Sequence, residues 1–267
     1  MSSSVRGRRP RPPAPAPHSP EHTHGSIWPL VAAFGIFLLA ISLPVSLGSG
    51  AIGSGLVLIG LVVTVVGSVG WWRQLLHEPM ADVPAPLISK DQRLGMVLFI
   101  ASEVAFFAAF FIGYFYLRGL SPIWPPPDTP SLGSLRLPML NTMILAISGL
   151  AMTAGHAALK HGNRRGFLLG LTATIALGVI FLAGQGWEWR HAELSIRSGT
   201  LGSVFYLLTG FHGLHVLVGV LFLGVNLARA LQGAFSPYRH EGVTLAGWYW
   251  HFVDAVWLLL FVSIYLR

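Results

Sequence analysis

Cysteine is absent from the 267 residues. That excludes disulfides, thiolate metal sites and covalent C-x-x-C-H haem attachment within this chain. Charge is scarce too: 10% of residues are Asp, Glu, Lys or Arg, against 53% hydrophobic. Soluble domains carry roughly 25% charged residues, so something other than water solvates most of this chain, and lipid is the candidate. Lysine occurs only at Lys90 and Lys160, at loops or span ends, which excludes a retinal Schiff base in a bundle core. No internal repeat of the kind found in inverted-repeat transporters is visible.

What charge there is leans positive, with a formal net of +7. Four of the 17 cations, Arg6, Arg8, Arg9 and Arg11, crowd the first eleven positions, and the others lie scattered between apolar runs. They do not stripe one face, so they read as topology-setting charges beside a membrane and not as a nucleic-acid groove. Residues 1–24 hold six prolines and too little apolar surface to offset their ordering entropy, and they read as a disordered tail. Residues 25–267 form the membrane domain.

A bilayer core about 30 Å thick needs roughly 20 apolar helical residues. Gly25–Trp72 is 48 residues with no ionisable side chain, enough for two spans broken around Pro44 and the following glycines. Leu94–Leu117 contains one acid, Glu103, and Leu137–Leu159 one histidine. Gly166–Trp187 contains nothing that titrates. Ser198–Ala228 has His212 and His215, and Gly242–Leu266 has His251 and Asp254. The count is seven. Unpaired peptide groups are costly in hydrocarbon, so spans must be helices or a closed barrel. These runs do not alternate in polarity as barrel strands would. The expected fold is an all-α, polytopic membrane protein.

Twelve cations collect on one side, in the tail, the second–third loop and the loops around Lys160 and Arg229, and five on the other. The positive-inside rule puts the N-terminus in the cytoplasm and the C-terminus outside.

An ionisable group within a span is a functional hypothesis by default, since placing it there costs about 2.5–3.5 kcal/mol or more. Glu103 lies mid-span in SEVAFFAAFF, with Phe99, Ile100, Phe106, Phe107 and Phe110 on its helical face. It fits either a hydrogen-bonded tie to a neighbouring helix or a group that tunes proton or oxygen access. His212 and His215 are three apart, as are His251 and Asp254. Each pair can serve buried polar partners, Glu103 included. No further helix supplies an E-x-x-H set, so a metal site is not predicted. The tryptophans of WPPP (124–127) and GWEWRHAE (186–193) read as an interfacial belt. Trp72, Arg73, Glu78, Arg229 and His240 fall on the cation-rich side, where they could clamp a lipid head group.

Several segments resemble one known family, in its order: WWR at 71–73, FIASEVAFFAAFF at 99–111, WPPP, LPMLNTMIL at 137–145, GSVFYLLTGFHGLHVLVG at 202–219 and WYWHFVDAVWLLLFVSIYL at 248–266. Over roughly residues 70–267 the chain is similar to subunit III of cytochrome c oxidase, within the haem-copper oxidases. The last two segments are the most specific. The resemblance implies seven helices in a two-helix plus five-helix arrangement around a lipid-filled cleft. It implies direct packing on subunit I, which holds haem and copper, with subunit II in the same complex and phospholipid bound. No redox cofactor is implied for this chain, whose role would be to sustain proton uptake and protect turnover in aerobic electron transport. The family's buried glutamate matches Glu103, its histidine partner matches His215 or His212, and its inner-side lipid contacts match Trp72, Arg73, Glu78, Arg229 and His240. A bacterial-type plasma membrane is the expected location. Residues 1–27 match poorly, and the second–third loop holds only His77 where the family has neighbouring histidines. A quinol-oxidising relative would share most of these motifs, because other subunits choose the electron donor.

Overall fold

A computed structural model describes residues 26–48, 50–77, 85–127 and 129–266. The proposed tail, residues 1–24, and Glu78 lie outside the described residues. Among the described residues seven α-helices run in order: α1 Trp28–Gly48, α2 Gly50–His77, α3 Ala85–Leu120, α4 Arg136–Lys160, α5 Arg164–His191, α6 Gly199–Leu231 and α7 Glu241–Leu260. A π-helical turn, Phe261–Tyr265, continues α7. Among the described residues there is no β-strand, only an isolated bridge between Ser236 and Arg239. Six helices, α2 to α7, are long and apolar enough to cross a membrane, while the described apolar stretch of α1, Trp28–Leu39, is shorter. Large apolar side chains such as Ile112, Leu150 and Leu169 stand exposed. The chain is a multi-pass membrane protein.

The helices outrun the apolar runs that predict them. The break between α1 and α2 falls within the stretch of Pro44 and glycines where the sequence pattern places it, but α1 passes through Pro44 itself and ends at Gly48. Proline removes one N–H from the ladder, but unwinding there would leave more peptide groups unpaired in an apolar setting. α3 starts nine residues before Leu94 and carries Lys90, Asp91 and Arg93 in its second and third turns, a charge density that belongs outside hydrocarbon.

The chain divides into two compact units, Met1–Asp82 and Val83–Arg267. In the first, α1 and α2 meet through small residues. A Cβ built on Gly67 would stand 2.5 Å from the Ala32 nitrogen, and one on Gly35 would collide with the Thr64 backbone. Without a hydrophobic driving force between helices in lipid, such close backbone approach supplies the attraction.

In the second unit, ends of successive helices are tied together. Asn163 caps α5 by accepting from the Gly166 amide at 3.0 Å, and Gly162, at φ +75°, closes the preceding helix in the left-handed region. Arg164 at the start of α5 donates to the Leu231 carbonyl at the end of α6, 3.1 Å away. Arg93 of α3 forms a two-pronged ion pair with Glu241 at the start of α7. The start of α3, the end of α4, the start of α5, the end of α6 and the start of α7 thus share one end of this unit.

Trp250 sits at its centre, fully buried. Its ring lies against Gly178 of α5 and Gly219 of α6, where added Cβ atoms would come within 2.6 and 2.9 Å of it. Its indole N–H donates to Ser148 Oγ on α4 at 3.0 Å, so one side chain joins four helices. Two turns on, Trp257 repeats the pattern by donating to Thr142 Oγ1 at 3.0 Å.

Candidate functional site

Glu103 on α3 and His215 on α6 meet inside the second unit. The Glu103 Oε2 to His215 Nε2 distance is 2.8 Å, and the two side chains are 19% and 13% exposed. The other ring nitrogen, Nδ1, lies 2.6 Å from the Phe211 carbonyl one turn earlier in α6. A carbonyl oxygen only accepts, so Nδ1 carries the hydrogen there. Nε2 therefore faces Glu103 either as an acceptor from a carboxylic acid or as a donor to a carboxylate. Both forms hold one shared proton and no net charge, which suits a low-dielectric site. The pair can pass that proton between Oε2 and Nε2 without moving a heavy atom.

Aromatic rings enclose the pair. Phe107 stands edge-on to the His215 ring at 4.9 Å between centroids, and Phe106 lies 5.9 Å from it. Phe106, Phe110 and Phe211 pack mutually at 4.8–5.1 Å. The Tyr249 hydroxyl of α7 donates to the His215 carbonyl at 3.2 Å, and Phe99 stacks on the Tyr249 ring. Phe106 and Phe107, three and four residues after Glu103, thus pack on the ring of its partner His215.

His212 does not join this site. It is fully buried, between Phe181 and Trp257 at 5.6 and 5.1 Å, and neither ring nitrogen finds a partner among the described residues. Three helical residues turn the chain by about 300°, leaving His212 some 60° from His215 and aimed at α5 and α7 instead of α3. His251 and Asp254 do not reach Glu103 either. They face α4, with His251 Nε2 3.2 Å from Thr153 Oγ1, His251 Nδ1 3.5 Å from Asp254 Oδ2, and the Asp254 carboxylate in the space that a side chain at Gly149 would fill. Among the described residues, no three of His, Cys, Asp and Glu gather as a metal site.

The family model for cytochrome c oxidase subunit III matches residues 18–267. Cytochrome c oxidase subunit 3 of Ornithorhynchus anatinus is 41% identical over 255 residues, covering 93% of this chain and 97% of that protein. The Xenopus laevis subunit is 42% identical over 247 residues, covering 90% and 94%. That of Dugong dugon is 41% identical over 255 residues, covering 93% and 97%. The chain belongs to the cytochrome c oxidase subunit III family. As a subunit III it sits in an oxidoreductase complex with other subunits, and respiratory electron transport and proton translocation follow from the oxidase family. Subunit III of this oxidase does not itself carry the haem or copper centres. The match reaches about fifty residues further towards the N-terminus than the motifs at 70–267, through apolar helices whose composition distinguishes them little from any other span.

The residues matched to subunit III lipid contacts fall in both units. Trp72 and Arg73 are exposed on α2, and Arg73 joins Trp28, Val65, Val66 and Val69 in lining a groove of about 570 Å³ between α1 and α2. Arg229 lies over the Phe235 ring at 5.5 Å, and His240 packs its ring 5.3 Å from His156. Sequence reasoning places Glu188 in the interfacial Trp stretch, yet its side chain is buried beside Gln185. One signal could have found it: Gln185 and Glu188 are three apart, on one helical face.

Proposed function

We propose that this chain sustains proton uptake and protects turnover in a proton-pumping, oxygen-reducing oxidase, with Glu103 and His215 as its working pair. The observation that carries this reading is the 2.8 Å approach of Glu103 Oε2 to His215 Nε2 beside a Phe-lined wall inside the spans. A dyad that moves its proton between Oε2 and Nε2 stays neutral overall in hydrocarbon, and it takes on a single charge only at the step where it lends a proton to, or takes one from, a redox-driven neighbour.

The rest of the reading hangs on the same setting. The chain packs directly on subunit I, in a complex that includes subunit II, where haem and copper reside. His251, 47% exposed in the middle of a span, supports a protein neighbour over lipid at that face. α1 supplies the seventh span, and the two-helix plus five-helix arrangement encloses lipid. Phospholipid head groups bind at Trp72, Arg73, Glu78, Arg229 and His240, and the groove beneath Arg73 supports an acyl chain there. The surplus of cations on one side supports a plasma-membrane topology with the N-terminus in the cytoplasm and the C-terminus outside.

Replacing Glu103 by Gln in the intact oxidase tests this. Haem content and assembly should survive while proton uptake slows or turnover-dependent inactivation quickens. Loss of the haem spectrum from the purified complex would assign Glu103 a structural role instead.

A further inference from the structure

Away from the Glu103–His215 pair, α5 and the end of α7 bury three polar side chains with unused hydrogen-bonding capacity. Gln185, Glu188 and Tyr265 are 2%, 8% and 5% exposed. Gln185 Nε2 donates to Glu188 Oε2 at 3.1 Å. That leaves Gln185 Oε1, Glu188 Oε1 and the Tyr265 hydroxyl without a partner among the described residues. The hydroxyl is near enough to both other side chains to interact with them, yet it is not aligned for a hydrogen bond to either.

The backbone is shaped to bring them together. Gln185 and Glu188 are three apart on α5 and share a face. Tyr265 closes the π-helical turn Phe261–Tyr265. A π turn admits one extra residue and so re-aims the side chains after it by about 100° relative to a continuous α-helix. The turn is tied down from α3, since the Tyr114 hydroxyl donates to the Ser263 carbonyl at 2.7 Å. Trp257, Phe205 and Phe261 hold the Tyr265 ring at 5.8–6.2 Å.

No described cation pairs with Glu188. A bare carboxylate at this depth would be desolvated without compensation. As the acid, the same side chain resolves the imbalance. Oε2 accepts from Gln185, and Oε1 becomes an O–H donor. The three free groups are then two donors, Glu188 O–H and Tyr265 O–H, and one acceptor, Gln185 Oε1. One water matches that set, accepting twice and donating once, and about three bonds is what a buried water makes.

We propose that Gln185, Glu188 and Tyr265 form a binding site for one structural water, with Glu188 held as the carboxylic acid. The site joins the last turn of α7 to α5, at the end of the unit opposite the Arg93–Glu241 ion pair. It stands independently of the role proposed for Glu103.

Infrared spectroscopy of the intact oxidase, combined with a high-resolution density map of the same complex, tests the site. The wild type should show a protonated-carboxyl C=O band that shifts in D2O and is missing from Glu188→Gln, with a density peak about 3 Å from all three side chains. A carboxylate band lost in Glu188→Gln would overturn the proposal, and so would a metal-cation peak. Direct bonding of Tyr265 to Glu188 with no peak between them would do the same. Should Glu188→Gln fail to assemble, Tyr265→Phe decides: the carboxyl band of Glu188 must shift when one bond to the shared water is removed, and an unmoved band would contradict the site.

Discussion

Arg164 at the start of α5 reaches across to the last carbonyls of α6, donating to Leu231 at 3.1 Å and to Ala230 at 3.4 Å. A helix C-terminus leaves its final carbonyls unpaired and carries the negative end of the dipole, so a cation here acts as a cap supplied by a neighbouring helix. Replacing Arg164 by Ala should cost about 0.3–1 kcal/mol locally. Amide exchange at Gln232, Gly233 and Ala234, which close onto Ala228, Ala230 and Arg229, should quicken roughly two- to fivefold. Hydrogen–deuterium exchange of the detergent-solubilised complex measures it, and unchanged rates would show the contact to be idle.

The Trp250 seat makes a sharper prediction. A β-carbon on Gly178 would stand 2.6 Å from the Trp250 ring, so Gly178→Val overpacks the point where four helices meet, at a cost of about 1–3 kcal/mol. The midpoint for thermal release of this subunit from the complex should fall. Gly186→Ala is the control, because nothing lies within 4 Å of a Cβ there, and it should leave the midpoint unchanged or raise it slightly. Equal midpoints in both variants would rule the packing argument out.

Much of this fold is legible before any coordinates, and the reason is the solvent. Long runs without charge mark α4 to α7 to within a few residues, because hydrocarbon penalises ionisable groups and unpaired backbone alike. The same criterion fails at edges. It stops α5 at Trp187, since glutamate counts as an ionisable residue type, whereas the helix continues to His191 and turns Glu188 inward. It places the break between α1 and α2 in the stretch of Pro44 and the following glycines, and the helix carries on through Pro44 to end among those glycines, at Gly48. The family resemblance narrows the Glu103 partner to His212 or His215 without choosing, because the choice depends on the rotation of α6 against α3. Motifs recover the family, while the neighbours of Glu188 and Trp250 need the packed bundle.

Lipid retention separates the two units experimentally. Arg73 rims the groove between α1 and α2, and Arg229 lies over Phe235 in the second unit. Arg73→Ala and Arg229→Ala should each lower the number of phospholipids that stay with the purified complex, as counted by native mass spectrometry. Wild-type lipid stoichiometry in both variants would remove these cations from the lipid sites.

The central claim is that Glu103 and His215 act as one unit in sustaining proton uptake. Residues that work as a unit give strongly non-additive effects when removed together. The most direct measurement is the number of turnovers before inactivation in the intact oxidase, for Glu103→Gln, His215→Asn and the double variant. The account predicts a similar drop in all three, with haem content preserved. A double variant as impaired as the two single losses combined, or a Glu103→Gln enzyme that lasts as long as the wild type, would contradict it.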